Sequence, residues 1–208
     1  MKTEQEYLSD LKEIRSIMEQ SSRFISLSGL SGVMAGIYAL GGVFVIDQLL
    51  YNRKYEGFVH DLPQLHRHVP VTALIFTGLA VLVLSLLTGW LLTRARAKKQ
   101  GIKTWGYASK RLLVNLGIPL VTGGIFTLIL LLKGELNYVA ASTLIFYGLA
   151  LVHGSRYTLH DVRYLGITQI ILGLIATQYP GLGLYLWGIG FGVMHIFYGA
   201  WMFWKYER

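Results

Sequence analysis

The sequence predicts an all-α integral membrane protein. Six transmembrane helices form three tandem helical hairpins, preceded by an N-terminal amphipathic cytoplasmic helix. Three observations predict this. Apolar residues make up 53% of the 208 positions and charged residues only 14%, against roughly a quarter charged in a soluble domain. The apolar residues gather into long runs, giving a mean hydropathy of +0.49, and a run of about 18 or more with few charges has the length of a membrane-crossing helix. Lys and Arg are concentrated in alternate connections between those runs.

Residues 1–23 are expected to form the cytoplasmic helix. Thr3 and Glu6 fit a capping box, in which each side chain bonds a free backbone N–H of the first turn. Leu8, Leu11, Ile14 and Met18 recur at helical spacing and make one apolar stripe. That stripe suits either the membrane surface and the protein's own inner loops, or a membrane partner or second subunit, so a homo-oligomer stays open. The first twenty residues are polar, so no signal-peptide h-region is expected there.

The remaining 24–208 form one membrane domain, with spans at about 24–50, 69–93, 112–132, 137–153, 164–179 and 182–204. The hairpins are then 24–93, 112–153 and 164–204. The connection between spans two and three carries Arg94, Arg96, Lys98, Lys99, Lys103, Lys110 and Arg111. With it inside, Lys2, Lys12, Arg15, Arg23, Arg156, Arg163, Lys205 and Arg208 also fall inside, and only Arg53, Lys54, Arg67 and Lys133 fall outside. Positive-charge bias therefore places both termini in the cytoplasm.

An internal repeat supports the hairpin reading. The second, fourth and sixth spans share IFTG at 75–78, IFYG at 145–148 and IFYG at 196–199. Their last residues are Gly78, Gly148 and Gly199. The odd spans carry glycines seven apart: Gly29 and Gly36, Gly117 and Gly124, Gly166 and Gly173. Seven residues is nearly two helical turns, so each pair lies on one face, and glycine faces let helix backbones approach closely in lipid. Each hairpin is then a G-x6-G helix followed by an I-F-x-G helix. The first hairpin has about 17 extra residues, which fall in its outer loop near 51–68.

The last hairpin, with its G-x6-G helix, its turn at Tyr179–Pro180 and its glycine-rich second helix, resembles the HdeD-type acid-resistance membrane proteins. The first two hairpins match that family less well, and the extended outer loop departs from it. The chain is also similar to uncharacterised six-span bacterial membrane proteins. The resemblance implies a multi-pass protein of the bacterial inner membrane linked to acid stress, and it implies no catalytic residues.

Ionisable groups at membrane depth are costly and are examined first for function. His195 stands mid-span where the other strings have Leu74 and Leu144. Its imidazole could relay a proton, bind haem or a metal, or hydrogen-bond a neighbouring helix. Asp47 sits near the outer end of the first span. The outer loop holds His60, Asp61, His66 and His68, which could ligate zinc or copper, titrate near pH 6, or simply face solvent. Arg156, His160 and Arg163 would share one face if their segment were helical, a suitable contact for lipid phosphate or a phosphorylated ligand. The basic run 94–111 is too short and too close to lipid for nucleic acid, so the bilayer is the expected partner.

GxSxG, HExxH and Walker sequences are all missing, as are paired intramembrane carboxylates. The expectation is a non-enzymatic inner-membrane component in stress response or regulation. The alternatives are a proton or small-solute pathway through the bundle and a haem- or metal-binding protein, with the cofactor left undefined.

Overall fold

The computed structural model describes residues 28–56, 71–99, 101 and 105–208. The proposed helix at 1–23 lies outside them. Every regular element among the described residues is helical. These are α1 (Gly29–Glu56), α2 (Val71–Lys99), α3 (Tyr107–Leu132), α4 (Val139–Gly154) and α5 (Asp161–Gln178). The last stretch begins as α6 (Gly183–Trp187), passes through a π-helical segment (Gly188–Met194) and ends as α7 (His195–Tyr206).

Five stretches are long and apolar enough to cross a membrane: Gly29–Leu49, Val71–Lys99, Tyr107–Leu132, Leu136–Tyr157 and Pro180–Tyr206. Helix α5 coincides with the expected fifth span but falls outside that set. It has 18 residues, and Asp161, Arg163, Gln169 and Gln178 are among them. A helix bonds its own backbone N–H and C=O groups, which is the form that an apolar stretch of this length would need in hydrocarbon.

The turns have local causes. After α3, Gly134 takes φ 78°. Its N–H bonds Leu131 O at 3.1 Å and the Glu135 N–H bonds Leu130 O at 2.9 Å, the paired bonds of a Schellman stop. Between α4 and α5 a short 3-10 turn, Ser155–Tyr157, ends at an extended Thr158 with φ −142° and ψ −156°. Pro119 inside α3 has no N–H to give the Asn115 carbonyl four residues back. His153 Nδ1 of α4 lies 3.1 Å from that oxygen and satisfies it as an N–H donor.

Helix α1 lies between α2 and the last stretch, and α4 lies between α3 and α5. The closest approaches are at glycine. A methyl group on Gly148 would sit 2.6 Å from Gly166 O, and one on Gly173 2.6 Å from the Ile145 side chain. On the other side of the bundle, a methyl group on Gly199 would sit 2.6 Å from Val33 N, and one on Gly36 2.6 Å from Gly192 O. The tight seams are therefore α4 with α5, and α1 with α7 and the π-segment. In both, a G-x6-G helix meets an I-F-Y-G helix from a different expected hairpin. The glycine pairs of α1 and α5 therefore pack between expected hairpins rather than within one. In the expected third hairpin, 164–204, the mutual contact of the two helices is slight beside the α4–α5 seam.

Apolar packing forms two layers. One joins Leu151, Leu159, Val162, Leu165 and Met202; the other joins Ala141, Leu144 and Ala176, with Leu172, Trp187 and Phe191 against them. At one end of the bundle the start of α1, the end of α2 and the end of α7 are tied by polar bonds. Glu207 accepts from the Gly29 N–H, from Ser28 Oγ at 3.2 Å and from Arg96 at 3.2 Å. A carboxylate thus sits at the α1 N-terminus, where free N–H groups and the helix dipole favour it. Arg96 also donates to Tyr206 O at 2.9 Å. Asp161 accepts from Tyr206 Oη at 2.7 Å and from Lys205 Nζ at 3.0 Å.

Candidate functional site

Between the two apolar layers lies a buried polar cluster assembled from three places in the chain. Helix α4 supplies Tyr147, α5 supplies Gln169, and the last stretch supplies Gly190 and His195. His195 is 5% exposed and Gln169 fully buried. The Tyr147 hydroxyl is 2.8 Å from His195 Nε2. His195 Nδ1 is 3.0 Å from Gly190 O, and Gln169 Nε2 donates to the same carbonyl at 2.7 Å.

A carbonyl only accepts, so Nδ1 carries the hydrogen and donates to Gly190 O. In the neutral ring Nε2 accepts from the Tyr147 O–H, and both nitrogens are engaged. The 3.4 Å approach of Gln169 Nε2 to His195 Nδ1 sets donor against donor and is a contact only. Gln169 Oε1 has no hydrogen-bond partner, because rotating the amide would turn that oxygen onto the Gly190 carbonyl.

Gly190 lies in the π-helical segment. That segment runs over GIGFGVM, with Gly188, Gly190 and Gly192 all buried. Gly190 is five residues before His195, and its carbonyl reaches the imidazole within this widened turn. Aromatic rings close the site. Phe191 stacks on His195 with centroids 5.7 Å apart, and Tyr147 lies 4.9 Å from Phe191. Two shallow grooves among the described residues lie elsewhere, one along Phe197, Trp201 and Trp204, the other between Pro119 and Arg156.

The other expected residues are dispersed. Asp47 is half-buried on α1, away from this cluster. His60, Asp61, His66 and His68 lie outside the described residues. Arg156, His160 and Arg163 are exposed, but the extended Thr158 interrupts the helix that would have set them on one face. Among the described residues no group of three or more His, Asp or Glu is placed to hold a metal ion. Of the glycines expected to pack helices, Gly29, Gly36, Gly148, Gly166, Gly173 and Gly199 stand at close approaches, whereas Gly78, Gly117 and Gly124 have no neighbour within 4 Å of a Cβ among the described residues.

Sequence reasoning found His195 and missed its partners. Tyr147 is the variable residue of the I-F-x-G string, where the second span has Thr77. Gln169 lies between Gly166 and Gly173, and a search limited to ionisable groups passes over an amide. A polar residue inside the glycine pair was the available signal. No family model, curated protein or solved structure matches the chain.

Proposed function

We propose that the chain is a six-span integral membrane protein with both ends cytoplasmic, acting without catalysis as a structural or regulatory component of its membrane. The observation that carries the functional part is the state of His195. Both ring nitrogens are bonded within the protein, to Tyr147 and Gly190, and aromatic side chains pack around the ring. A proton carrier or a metal ligand needs a nitrogen that exchanges partners. This one is held as an interhelical bond, the ordinary use of a polar group between membrane helices.

The orientation is supported by charge. Arg94, Arg96, Lys98, Lys99, Lys205 and Arg208 stand at the end where Ser28 meets Glu207, while Lys133 stands at the opposite end. That is the asymmetry of cytoplasmic and outer faces. Counting α5 as a span gives an even number of crossings, in keeping with the meeting of the first and last helix ends. The likeness of the last hairpin to HdeD-type proteins supports a setting in the bacterial inner membrane under acid stress.

Proteoliposomes test the functional reading. Wild-type and His195→Leu protein are expected to show the same background proton flux, and the purified protein no haem absorbance. A flux present in wild type and lost in His195→Leu would overturn it in favour of a proton pathway.

A further inference from the structure

Two seams in this protein are built to one register, and the halves of a third are present but apart. A Cβ on Gly29 would meet Gly199 and Phe203, and one on Gly36 would meet Gly192 and Ile196. A Cβ on Gly166 would meet Gly148 and Val152, and one on Gly173 would meet Ala141 and Ile145. Counted from the string's own glycine, the partners of the two seams stand at identical offsets. The reverse contacts agree as well: Gly199 faces Gly29 and Val33, and Gly148 faces Gly166 and Ile170.

The third set of parts is Gly78 on α2 and the pair Gly117 and Gly124 on α3. The same offsets would set Gly117 against Gly78 and Leu82, Gly124 against Val71 and Ile75, and Gly78 against Gly117 and Val121. Among the described residues nothing lies within 4 Å of a Cβ at Gly78, Gly117 or Gly124. Leu82 and Val121 are 54% and 63% exposed. Exposure alone would mean only lipid. What singles out this face is that the mate already used twice for such a glycine pair is itself uncovered, on the other edge of the same molecule.

We propose that α2 of one copy docks on α3 of a second copy in this register, making the protein a homodimer. The second copy is favoured over closure within one chain because each edge helix is already fastened elsewhere. Helix α2 is held to the last stretch by Arg96, bonded to Glu207 and Tyr206. Helix α3 is held to α4 by the Thr127–Ser142 bond at 2.9 Å and by Phe146 lying over Gly123. Joining α2 to α3 in one chain would need the group of α1, α2 and the last stretch to shift against α3 and α4, whereas a second copy meets both faces where they stand. Two copies related by a two-fold axis along the membrane normal form two equal seams, with α2 and α3 antiparallel as in the existing pairs.

The proposal rests on the membrane-spanning reading, and cysteine cross-linking separates the two. The chain has no cysteine of its own. Ile75→Cys in one tagged copy and Val121→Cys in a differently tagged copy, co-expressed in membranes and oxidised, are expected to give a dimer carrying both tags. Adding Gly117→Leu should abolish that dimer while leaving the helical circular dichroism unchanged, since the site is open within one copy. Cross-linking found only inside a chain carrying both cysteines would overturn the proposal. So would the absence of cross-linking in protein that stays in the membrane on carbonate washing, a result that leaves the membrane reading standing.

Discussion

Removing the His195–Tyr147 bond from either side should cost stability, and removing it from both sides should cost less than the two losses together. His195→Leu restores the residue found at Leu74 and Leu144 and leaves the Tyr147 hydroxyl without its acceptor. Gly190 O keeps Gln169 Nε2 at 2.7 Å, so the main loss is at the hydroxyl. Tyr147→Phe keeps the ring on Phe191 and strands His195 Nε2. A buried polar group left unpaired costs about 1–3 kcal/mol, whereas a bond between membrane helices contributes on average about 0.6 and at most about 1.7 kcal/mol. Each single variant should therefore lose roughly 1–2 kcal/mol, and the double variant about 1 kcal/mol less than the sum. Reversible unfolding in mixed micelles, followed by tryptophan fluorescence, measures all four corners of the cycle. Losses that add within about 0.3 kcal/mol would refute the bond as a coupling between α4 and the last stretch.

Three further outcomes are expected. Gly148→Ala places a methyl group 2.6 Å from Gly166 O and 2.9 Å from Ile170 N; overpacking of this kind costs about 1–3 kcal/mol, partly offset by up to about 1 kcal/mol of helix propensity, so the unfolding midpoint should fall. His153→Leu should destabilise by about 0.5–1 kcal/mol in the native background and by less in Pro119→Ala, where the new N–H can bond Asn115 O; equal losses in both would sink that account of His153. Asp161 lies ahead of the expected fifth span. Burial opposes its ionisation, but hydrogen bonds from Tyr206 and Lys205 and the lysine charge outweigh it and hold the carboxyl below its ordinary value. Its contribution is therefore present above the unfolded carboxylate range and lost as pH falls through the lower folded value, so stability should drop on acidification, and less steeply in Asp161→Asn.

Helix positions were legible because they follow from composition alone. The expected spans and the observed helices coincide to within a few residues except where a helix runs on past the apolar run, as α2 does through Arg94, Arg96, Lys98 and Lys99 to its end. Such basic ends carry no hydropathy signal but continue the helix at no backbone cost. The glycine motifs were legible as packing surfaces, but their partners were not. Gly166 and Gly173 meet the string at 145–148 and not the string at 196–199 that follows them. A short connection joins each candidate pair, so loop length could not choose between them; the register of the side chains on α4 decides it. His195 was legible as a leucine replaced by a polar group, yet its role depended on Tyr147 and Gln169, which only the packing of three helices brings together.

The replacement stands where the last stretch departs from a regular α-helix. Leu144, at the frame position of His195, is fully buried, and its Cδ2 would lie 2.5 Å from a methyl group on Gly190. Gln169 Oε1 would lie at the same distance. Two equivalent positions of the repeat therefore converge on one glycine: Leu144 packs on the space where a side chain would be, and His195 bonds the carbonyl. Gly190 O accepts both from His195 Nδ1 at 3.0 Å and from Gln169 Nε2 at 2.7 Å, as a carbonyl with two lone pairs can. The absence of a side chain at Gly190 lets Leu144 and Gln169 close over it. The glycine and the histidine thus act together inside the π-segment. Changing Gly190 to alanine should disturb the His195 bond more than any substitution on the exposed face of the same helix.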